Sequence, residues 1–204
     1  MPKAEIGAAS GSDLLTRLGR YWFRWRSFSP LPFLVLFVFL PAEIAWKPGA
    51  VWGLLALVVA GETLRLWAVG FAGSVTRTRG DRVPRLIHAG PYRWVRNPLY
   101  IGNFFLYVGC GFLFGFLWLT VAFGFYTILQ YFLITEYEES LLATTFGAEY
   151  ENYRVRVSRW IPSLSPQIES TPQEFNLLRA LKSEKSTLVA LAGIALLWFL
   201  KYGR

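Results

Sequence analysis

Histidine and cysteine are almost absent from this chain, which has one of each, His88 and Cys110, among 204 residues. A single cysteine excludes an intramolecular disulfide, and this pair cannot build a cysteine and histidine zinc cluster, so we expect no metal. Charge is scarce too, at 17% charged residues against 54% hydrophobic residues. This balance excludes an ordinary soluble domain and predicts a polytopic membrane protein.

The stretch 99–135 contains no Asp, Glu, Lys, Arg or His. At about 1.5 Å per residue it would extend roughly 55 Å as one helix, too long for one crossing of a hydrocarbon core about 30 Å thick. The stretch therefore predicts two short crossings joined by a tight turn, which Gly109, Gly111 and Gly115 mark. The same three glycines lack the final spacing of a dinucleotide fingerprint and are expected at close helix contacts.

Three further apolar runs complete the expected architecture. Runs 31–46 and 50–72 flank a turn-like segment at 47–49 and predict a helical hairpin. The run 187–200 is short, but it is apolar on all sides and predicts a last crossing. We therefore expect an all-α fold with about five transmembrane helices, a cytoplasmic cofactor-binding loop and C-terminal helices.

The predicted division of the chain follows from these runs. Residues 1–30 form a cytoplasmic N-terminal segment, too polar at its start for a cleavable signal peptide. Residues 31–162 form the membrane core. Residues 163–204 contain an interfacial helix, whose capping box begins at Thr171 with Pro172 and Glu174, and then the last membrane helix.

Basic residues set the expected orientation. Most of the 21 Lys and Arg lie before the first span, within 73–98 and within 135–185, so these segments share one side of the membrane, taken as cytoplasmic. A bacterial inner membrane is the expected location. The net charge of +8 indicates topology and attraction to membrane lipids, and no separate basic patch indicates a nucleic-acid partner. The pattern leaves the oligomeric state open.

The segment 88–102 holds most of the candidate site residues. Asn97 is a good N-cap and Pro98 suits the first helical position, so a helix is expected to begin here. Such a helix start can bind a carboxylate or phosphate, and Arg96 would strengthen the site. Alternatively, Arg96 contacts lipid headgroups and Asn97 only caps the helix.

Aromatic residues in the same segment have two interpretations. Tyr92, Trp94 and Tyr100 are either interfacial belt residues or platforms for an adenine ring or a sulfonium cation. The lone His88 is most often a surface or hydrogen-bonding residue in such a loop. The sequence alone leaves both interpretations of these aromatic residues open.

Two groups of ionisable residues are further candidates. Glu136, Glu138 and Glu139 follow the fourth predicted span. They are either a solvated trio, or they pair with the basic loop or bind a ligand, and one of them in partly apolar surroundings could act as a base. Glu62 and Arg65 lie within a predicted span at a spacing that lets them neutralise each other. Ionisable groups at that depth either pair or line a cavity.

One apolar stripe follows the glutamates. Phe146, Tyr150, Tyr153 and Val157 recur at helical spacing, so they are expected on one helix face that packs on the membrane surface or on the other loop.

Two ordered motifs resemble one known family. Gly90-Pro91-Tyr92 followed by Arg96-Asn97-Pro98-Leu99-Tyr100-Ile101-Gly102 resembles the Gly-x-Tyr-x-x-x-Arg-His-Pro-x-Tyr-x-Gly pattern of the isoprenylcysteine carboxyl methyltransferase and phospholipid methyltransferase superfamily. A second set of residues in this chain resembles the C-terminal signature of the same superfamily: Glu138, Glu139, Leu141 or Leu142, Phe146, Gly147, Tyr150, Tyr153, Val157, Arg159, Ile161 and Pro162.

The resemblance implies an integral membrane methyltransferase that uses S-adenosylmethionine and a lipidic methyl acceptor. By the family pattern the cofactor would be bordered by His88, Gly90, Tyr92, Arg96, Asn97, Pro98, Tyr100 and Glu139. Glu138 falls at the position of a catalytically important glutamate, and Arg96 and Asn97 are further catalytic candidates.

The chain departs from the family pattern at two places. Asn97 stands where histidine is commoner, and an amide cannot exchange a proton near neutral pH. Residues 132–134 lack the arginine with which prenylcysteine enzymes hold a substrate carboxylate, which disfavours a prenylcysteine acceptor. Two alternatives remain: an NADPH-dependent membrane reductase related to sterol reductases, which share a similar motif, and a non-catalytic lipid-binding membrane protein.

Overall fold

The computed structural model describes residues 6–73, 85–170 and 172–202. Seven α-helices and no strand lie in these ranges, so the predicted all-α fold is confirmed. A 3₁₀ turn, Gly90–Arg93, precedes the fourth helix. The helices are α1 Ile6–Trp25, α2 Leu31–Phe39, α3 Pro48–Ala72, α4 Pro98–Leu113, α5 Leu117–Phe146, α6 Ala148–Arg156 and α7 Leu177–Tyr202.

Three of the described helices, α3, α5 and α7, are long and apolar enough to cross a membrane, and α4 is a shorter apolar helix. The chain is therefore an integral membrane protein, as predicted. The prediction of one membrane crossing over 31–46 is wrong, because the helix there, α2, has only nine residues and spans about 14 Å. Leu40 leaves the helical conformation because Pro41 follows it.

The irregular segment after α2 is fixed by the bend between α4 and α5. The amides of Glu43 and Ile44 both donate to the carbonyl oxygen of Gly115 at 2.9 Å. Gly115 has a φ of +78°, and a Cβ there would lie 2.4 Å from the oxygen of Ile44. The carboxylate of Glu43 accepts a hydrogen bond from the amide of Leu117 at 3.1 Å, at the start of α5. The bend predicted near Gly115 is confirmed.

Glycines let α3 and α4 pack with their backbones in contact. A Cβ on Gly61 would lie 2.7 Å from the oxygen of Gly102, and a Cβ on Gly102 would lie 2.7 Å from the oxygen of Gly61. Farther along, Gly109 packs against Val58. The predicted close helix contact is confirmed, and it is the small-residue packing common between membrane helices.

Helix α1 packs along α5. Gly19 faces Leu133 and Tyr137, and Phe23 is buried with Tyr131 and Ile134. The described part of the N-terminal segment therefore completes the wall of the helix bundle. The division of the chain at residue 30 stays a prediction.

Helix α7 begins later than the capping-box motif predicted. Pro172 and Glu174 lie in irregular backbone, and Thr171 lies outside the described residues. The carboxamide oxygen of Asn176 accepts a hydrogen bond from the amide of Arg179 at 2.8 Å and so caps the helix instead. The interfacial helix and the last apolar run are therefore one helix of 26 residues.

The far end of α7 closes the ends of two other helices. Trp198 donates to the carbonyl of Leu113 at 2.7 Å, and the hydroxyl of Tyr202 donates to that of Phe114 at 2.6 Å. The ammonium of Lys201 bonds three carbonyls at the end of α2, the shortest at 2.6 Å to Leu40. These side chains supply donors to carbonyls that have no partner within their own helix.

The apolar stripe after the glutamates is divided between two helices. Gly147, with a φ of +51°, ends α5, so Phe146 belongs to α5 and Tyr150 and Tyr153 belong to α6. Tyr150, Tyr153 and Val157 pack on Leu86, with Phe146 against them. The expected packing of the stripe on the other loop is confirmed, but its continuity as one helix is wrong.

Candidate functional site

One cavity of about 760 Å³ lies inside the bundle, and all seven helices contribute to its wall. This volume falls in the range of roughly 300–1,000 Å³ that is typical of small-molecule sites. The segment before α4 closes one end with Arg96, Asn97 and Pro98, and Arg65 and Glu184 lie on the wall between the apolar helices. The cavity thus joins a polar loop region to the membrane interior.

Four charged residues form what we call the loop-end cluster: Arg96, Glu136, Glu139 and Arg159. The carboxylate of Glu139 is held from both sides, 3.1 Å from Nη2 of Arg96 and 2.7 Å from Nη2 of Arg159. Arg159 also pairs with Glu136. Partial burial alone would lower the pKa of Arg159, but the hydrogen bonds and charges of Glu139 and Glu136 raise it. Arg159 therefore keeps its positive charge near neutral pH.

Arg96 fastens the loop to the end of α6. Its Nη1 donates to the carbonyls of Arg154 at 2.6 Å and Val157 at 3.1 Å, and its backbone amide donates to Ser158 at 2.9 Å. A cation beside the free carbonyls of a helix C-terminus is favourable. The guanidinium is nearly buried, so the alternative of contact with lipid headgroups is wrong.

Asn97 and Pro98 begin α4 as the sequence predicted, with Asn97 at the N-cap position and Pro98 first in the helix. The side chain of Asn97 makes no capping hydrogen bond, which corrects the prediction. Its Nδ2 instead donates to the carbonyl of Arg159 at 3.3 Å. Asn97 therefore ties the helix start to the loop-end cluster, and it lines the cavity.

The three glutamates of α5 have different surroundings. Glu139 is buried and Glu136 is half-buried, and both pair with Arg159. Glu138 is half-buried, lines the cavity and is hydrogen-bonded to Tyr100, whose ring packs on Tyr131 at 4.6 Å. The interpretation as a solvated trio is therefore wrong, and Glu138 is the glutamate without a salt bridge to Arg159 or Arg96 in the described chain.

His88 and Gly90 lie off the cavity wall that the described residues form. Nδ1 of His88 is 3.2 Å from the carbonyl oxygen of Glu169. Gly90 has a φ of +58°, and a Cβ there would lie 2.3 Å from the ring of Phe71. Glycine is required here for backbone shape and for close packing on α3.

Tyrosines complete the loop end of the cavity. Tyr92 lines the wall, and its carbonyl accepts a hydrogen bond from the hydroxyl of Tyr153 at 2.8 Å. Burial raises the pKa of Tyr92, Tyr150 and Tyr153, so all three are protonated near neutral pH. The hydroxyl of Tyr150 and Nε of Arg96 are buried without a hydrogen-bond partner in the described chain, and both residues line the cavity. Two donors are thus available to a polar ligand.

A second group of polar residues, the intramembrane cluster, lies deeper: Glu62, Arg65, Asn103, Glu184 and Thr187. Nε of Arg65 donates to Glu62 at 3.2 Å and Nη2 to Thr187 at 3.2 Å, and the guanidinium also bonds Asn103 and Glu184. The predicted pairing of Glu62 with Arg65 is confirmed, and so is the alternative that the pair lines a cavity, through Arg65. No sequence pattern pointed to Asn103, whereas Glu184 stands out as an acidic residue just before an apolar run.

Comparison with known proteins supports the family resemblance that the motifs indicated. A family model described as phospholipid methyltransferase matches residues 50–149. The chain is 33% identical over 129 residues to the protein-S-isoprenylcysteine O-methyltransferase of Rattus norvegicus and 34% identical over 134 residues to that of Homo sapiens. The resemblance to the isoprenylcysteine carboxyl methyltransferase and phospholipid methyltransferase superfamily is therefore confirmed.

The likeness covers part of each chain. Each of these two alignments spans 59% of this chain and 43% of the relative, so the chain spans less than half the length of the curated relatives it matches. No solved structure matches it. Most of α3 and all of α4 and α5 lie in the range of the family model, whereas Arg159 and all of α7 lie beyond it.

Proposed function

We propose that the chain is a methyltransferase that moves a methyl group from S-adenosylmethionine to a lipidic acceptor within this cavity. The observation that carries the proposal is that one cavity joins the polar loop end to apolar walls between membrane helices. Similarity to a family model and to relatives that are named methyltransferases supports the reaction.

The residues at the loop end fit the proposed cofactor. S-adenosylmethionine carries a carboxylate, an ammonium, ribose hydroxyls, an adenine ring and a sulfonium, so it needs donors, acceptors and aromatic faces. The wall offers the partnerless donors of Arg96 and Tyr150, the carboxylate of Glu138 and the rings of Tyr92 and Tyr100. When bound, the cofactor supplies a methyl group whose bond to sulfur breaks, with the electron pair left on sulfur, as its bond to the acceptor forms.

Seven residues are proposed to border the cofactor: Tyr92, Arg96, Asn97, Pro98, Tyr100, Glu139 and, added from the structure, Tyr150. Arg96 and Asn97 act by position, because their side chains fix the helix start against α6 and Arg159. That His88 and Gly90 border the cofactor stays a prediction from the family pattern. Their proposed contribution is to the shape of the loop.

Glu138 is the proposed proton acceptor. An amine or hydroxyl acceptor must lose a proton as it is methylated, and the carboxylate of Glu138 lies on the cavity wall, held by Tyr100. A carboxylate acceptor needs no base, and Glu138 would then orient it. Most of the rate enhancement should come from alignment of the reactants away from water.

The acceptor is proposed to be lipidic because the rest of the wall is apolar. Leu31 and Leu34 of α2, Leu106 of α4 and Leu191 and Ile194 of α7 line it. Such a wall accommodates an acyl or prenyl chain without exposing it to water. A bacterial inner membrane with the loop end in the cytoplasm stays a prediction from the basic residues.

Cofactor binding tests the proposal most directly. We expect the purified protein in lipid nanodiscs to bind S-adenosylhomocysteine and not NADPH in calorimetric titrations. We also expect methyl-labelled S-adenosylmethionine to label a lipid-soluble product in a membrane extract. Binding of NADPH alone would instead establish the reductase alternative, and binding of neither would support a non-catalytic lipid-binding protein.

The role of Glu138 is tested by Glu138→Gln. Loss of the proton acceptor should slow methyl transfer by about 10²–10⁴-fold, while S-adenosylhomocysteine binding stays within about twofold. The exposed Glu149→Gln, in the next helix, is the matched control. Transfer at the wild-type rate in Glu138→Gln would remove the proposed role.

A further inference from the structure

Arg65 occupies a position that would ordinarily bind an anion. Its side chain is 11% exposed, lies on an apolar helix of the membrane bundle and lines the cavity. A buried guanidinium is a planar fork that matches carboxylate or phosphate oxygens, and it must be paired because an isolated buried charge is costly. Whatever pairs with Arg65 therefore decides what this part of the cavity accepts.

The chain itself supplies the partners of Arg65. Nε bonds Glu62 of the same helix, Nη1 bonds Asn103 of α4, and Nη2 bonds both Glu184 and Thr187 of α7. Each of the three guanidinium nitrogens thus has a protein partner. Of these partners, Asn103, Glu184 and Thr187 also line the cavity.

The carboxylate of Glu184 reaches this position because α7 lies along the cavity. Glu184, Thr187, Leu191 and Ile194 recur at helical spacing and all line the wall. Glu184 is 2% exposed, so its carboxylate is enclosed with the guanidinium. The same helix face therefore carries the partner of Arg65 and the apolar surface beyond it.

We propose that Glu184 is a specificity-determining residue, a resident carboxylate that fills the anion site at Arg65 and excludes acceptors bringing a carboxylate there. A ligand carboxylate would have to displace Glu184 or lie beside it, and both arrangements leave a buried negative charge poorly paired. Lipidic acceptors with an uncharged polar group avoid this cost. The inference rests on the proposed function for the nature of the occupant.

Two ligands of the same chain length, one with a charged carboxylate and one with an uncharged hydroxyl, test the inference by binding, without methyl transfer. Decanoate and 1-decanol are titrated calorimetrically into the protein in nanodiscs, with empty nanodiscs correcting for partition into lipid. Wild type should bind decanol at least about tenfold more tightly than decanoate. This arm uses the native chain, so it does not depend on the folding of a variant.

Variants then test whether Glu184 and Arg65 cause the discrimination against decanoate. Glu184→Gln should raise the affinity for decanoate about tenfold and leave that for decanol within about twofold, because Arg65 then lacks its strongest partner. Adding Arg65→Gln should abolish the gain. Glu174→Gln, an exposed acidic residue just before α7, should change neither affinity.

Three results would overturn the inference: wild type that prefers decanoate, a Glu184→Gln variant with no gain, and a gain that persists without Arg65. None of them bears on S-adenosylhomocysteine binding, so a failure here is distinct from a failure of the proposed function.

Discussion

Two arginine and carboxylate clusters line one cavity, yet they connect different parts of the molecule. In the loop-end cluster, Glu139 lies between two arginines, and Arg96 also bonds the carbonyls at the end of α6. In the intramembrane cluster, the single guanidinium of Arg65 joins side chains of α3, α4 and α7. The first cluster therefore holds the loop at one end of the cavity, whereas the second joins helices to each other.

Solvent also separates the two clusters. The side chain of Arg159 is 23% exposed, so water screens part of the loop-end cluster. Glu184 and Arg65 are enclosed more deeply, where removal of one partner leaves charge in surroundings of low polarity. We expect the intramembrane cluster to matter more for stability and the loop-end cluster to matter more for cofactor binding.

The largest loss of stability is expected from Arg65→Leu. The change removes the guanidinium from two carboxylates, Glu62 and Glu184, and should lower the free energy of unfolding by about 4–5 kcal/mol. Reversible unfolding in bicelles measures it, with the exposed Arg24→Leu of α1 as control. A loss no larger than that of Arg24→Leu would make the intramembrane cluster dispensable.

Arg96→Leu should cost less stability, about 3 kcal/mol, because Glu139 keeps its pair with Arg159. It should nevertheless weaken S-adenosylhomocysteine binding more than Arg65→Leu does, since the loop loses its bonds to α6. Arg156→Leu, exposed on α6, is the matched control. The comparison fails if Arg65→Leu weakens binding more than Arg96→Leu does.

Gly102→Ala tests the helix contact beneath the intramembrane cluster. The new Cβ would lie 2.7 Å from both the oxygen of Gly61 and Cγ of Arg65, so the crossing of α3 and α4 must widen at a cost of about 2 kcal/mol. Gly53→Ala of α3 faces open space and should be neutral or slightly stabilising. Equal melting temperatures for the two variants would mean that α3 and α4 move apart at Gly102 without loss of stability.

The smallest effect is expected at the loop end, from Tyr153→Phe. The variant loses the hydrogen bond from the hydroxyl to the carbonyl of Tyr92 and should be destabilised by about 1 kcal/mol. The exposed Tyr21→Phe serves as the control in the same unfolding assay. Stability unchanged from that control would show that another donor replaces the hydroxyl.

Local signals allowed much of this structure to be predicted. Pro98 marks the start of α4, and the charge-free stretch with Gly115 predicts two helices and a bend, because these features act over a few neighbouring residues. The family motif led to Glu138 and Glu139. The structure adds that both line the cavity and that Glu139 is paired with Arg159.

The misses have long-range causes. The partners Arg65 and Glu184 are 119 positions apart, so sequence spacing could not pair them. Asn97 was expected to cap α4, but the carbonyl of Arg159 competes for its side chain. The prediction that α7 begins at Thr171 is wrong because Asn176 caps the helix instead. Asn176 is held there by the hydrogen bond from its amide to the carbonyl of Gly70 in α3.

The last turn of α7 has a consequence for the order of membrane insertion. Trp198, Lys201 and Tyr202 bond carbonyls at the ends of α2 and α4, which are synthesised earlier. Before α7 is synthesised these carbonyls lack their donors, and hydrocarbon would supply no substitute. Insertion of α7 thus completes the hydrogen bonding of two helices made before it.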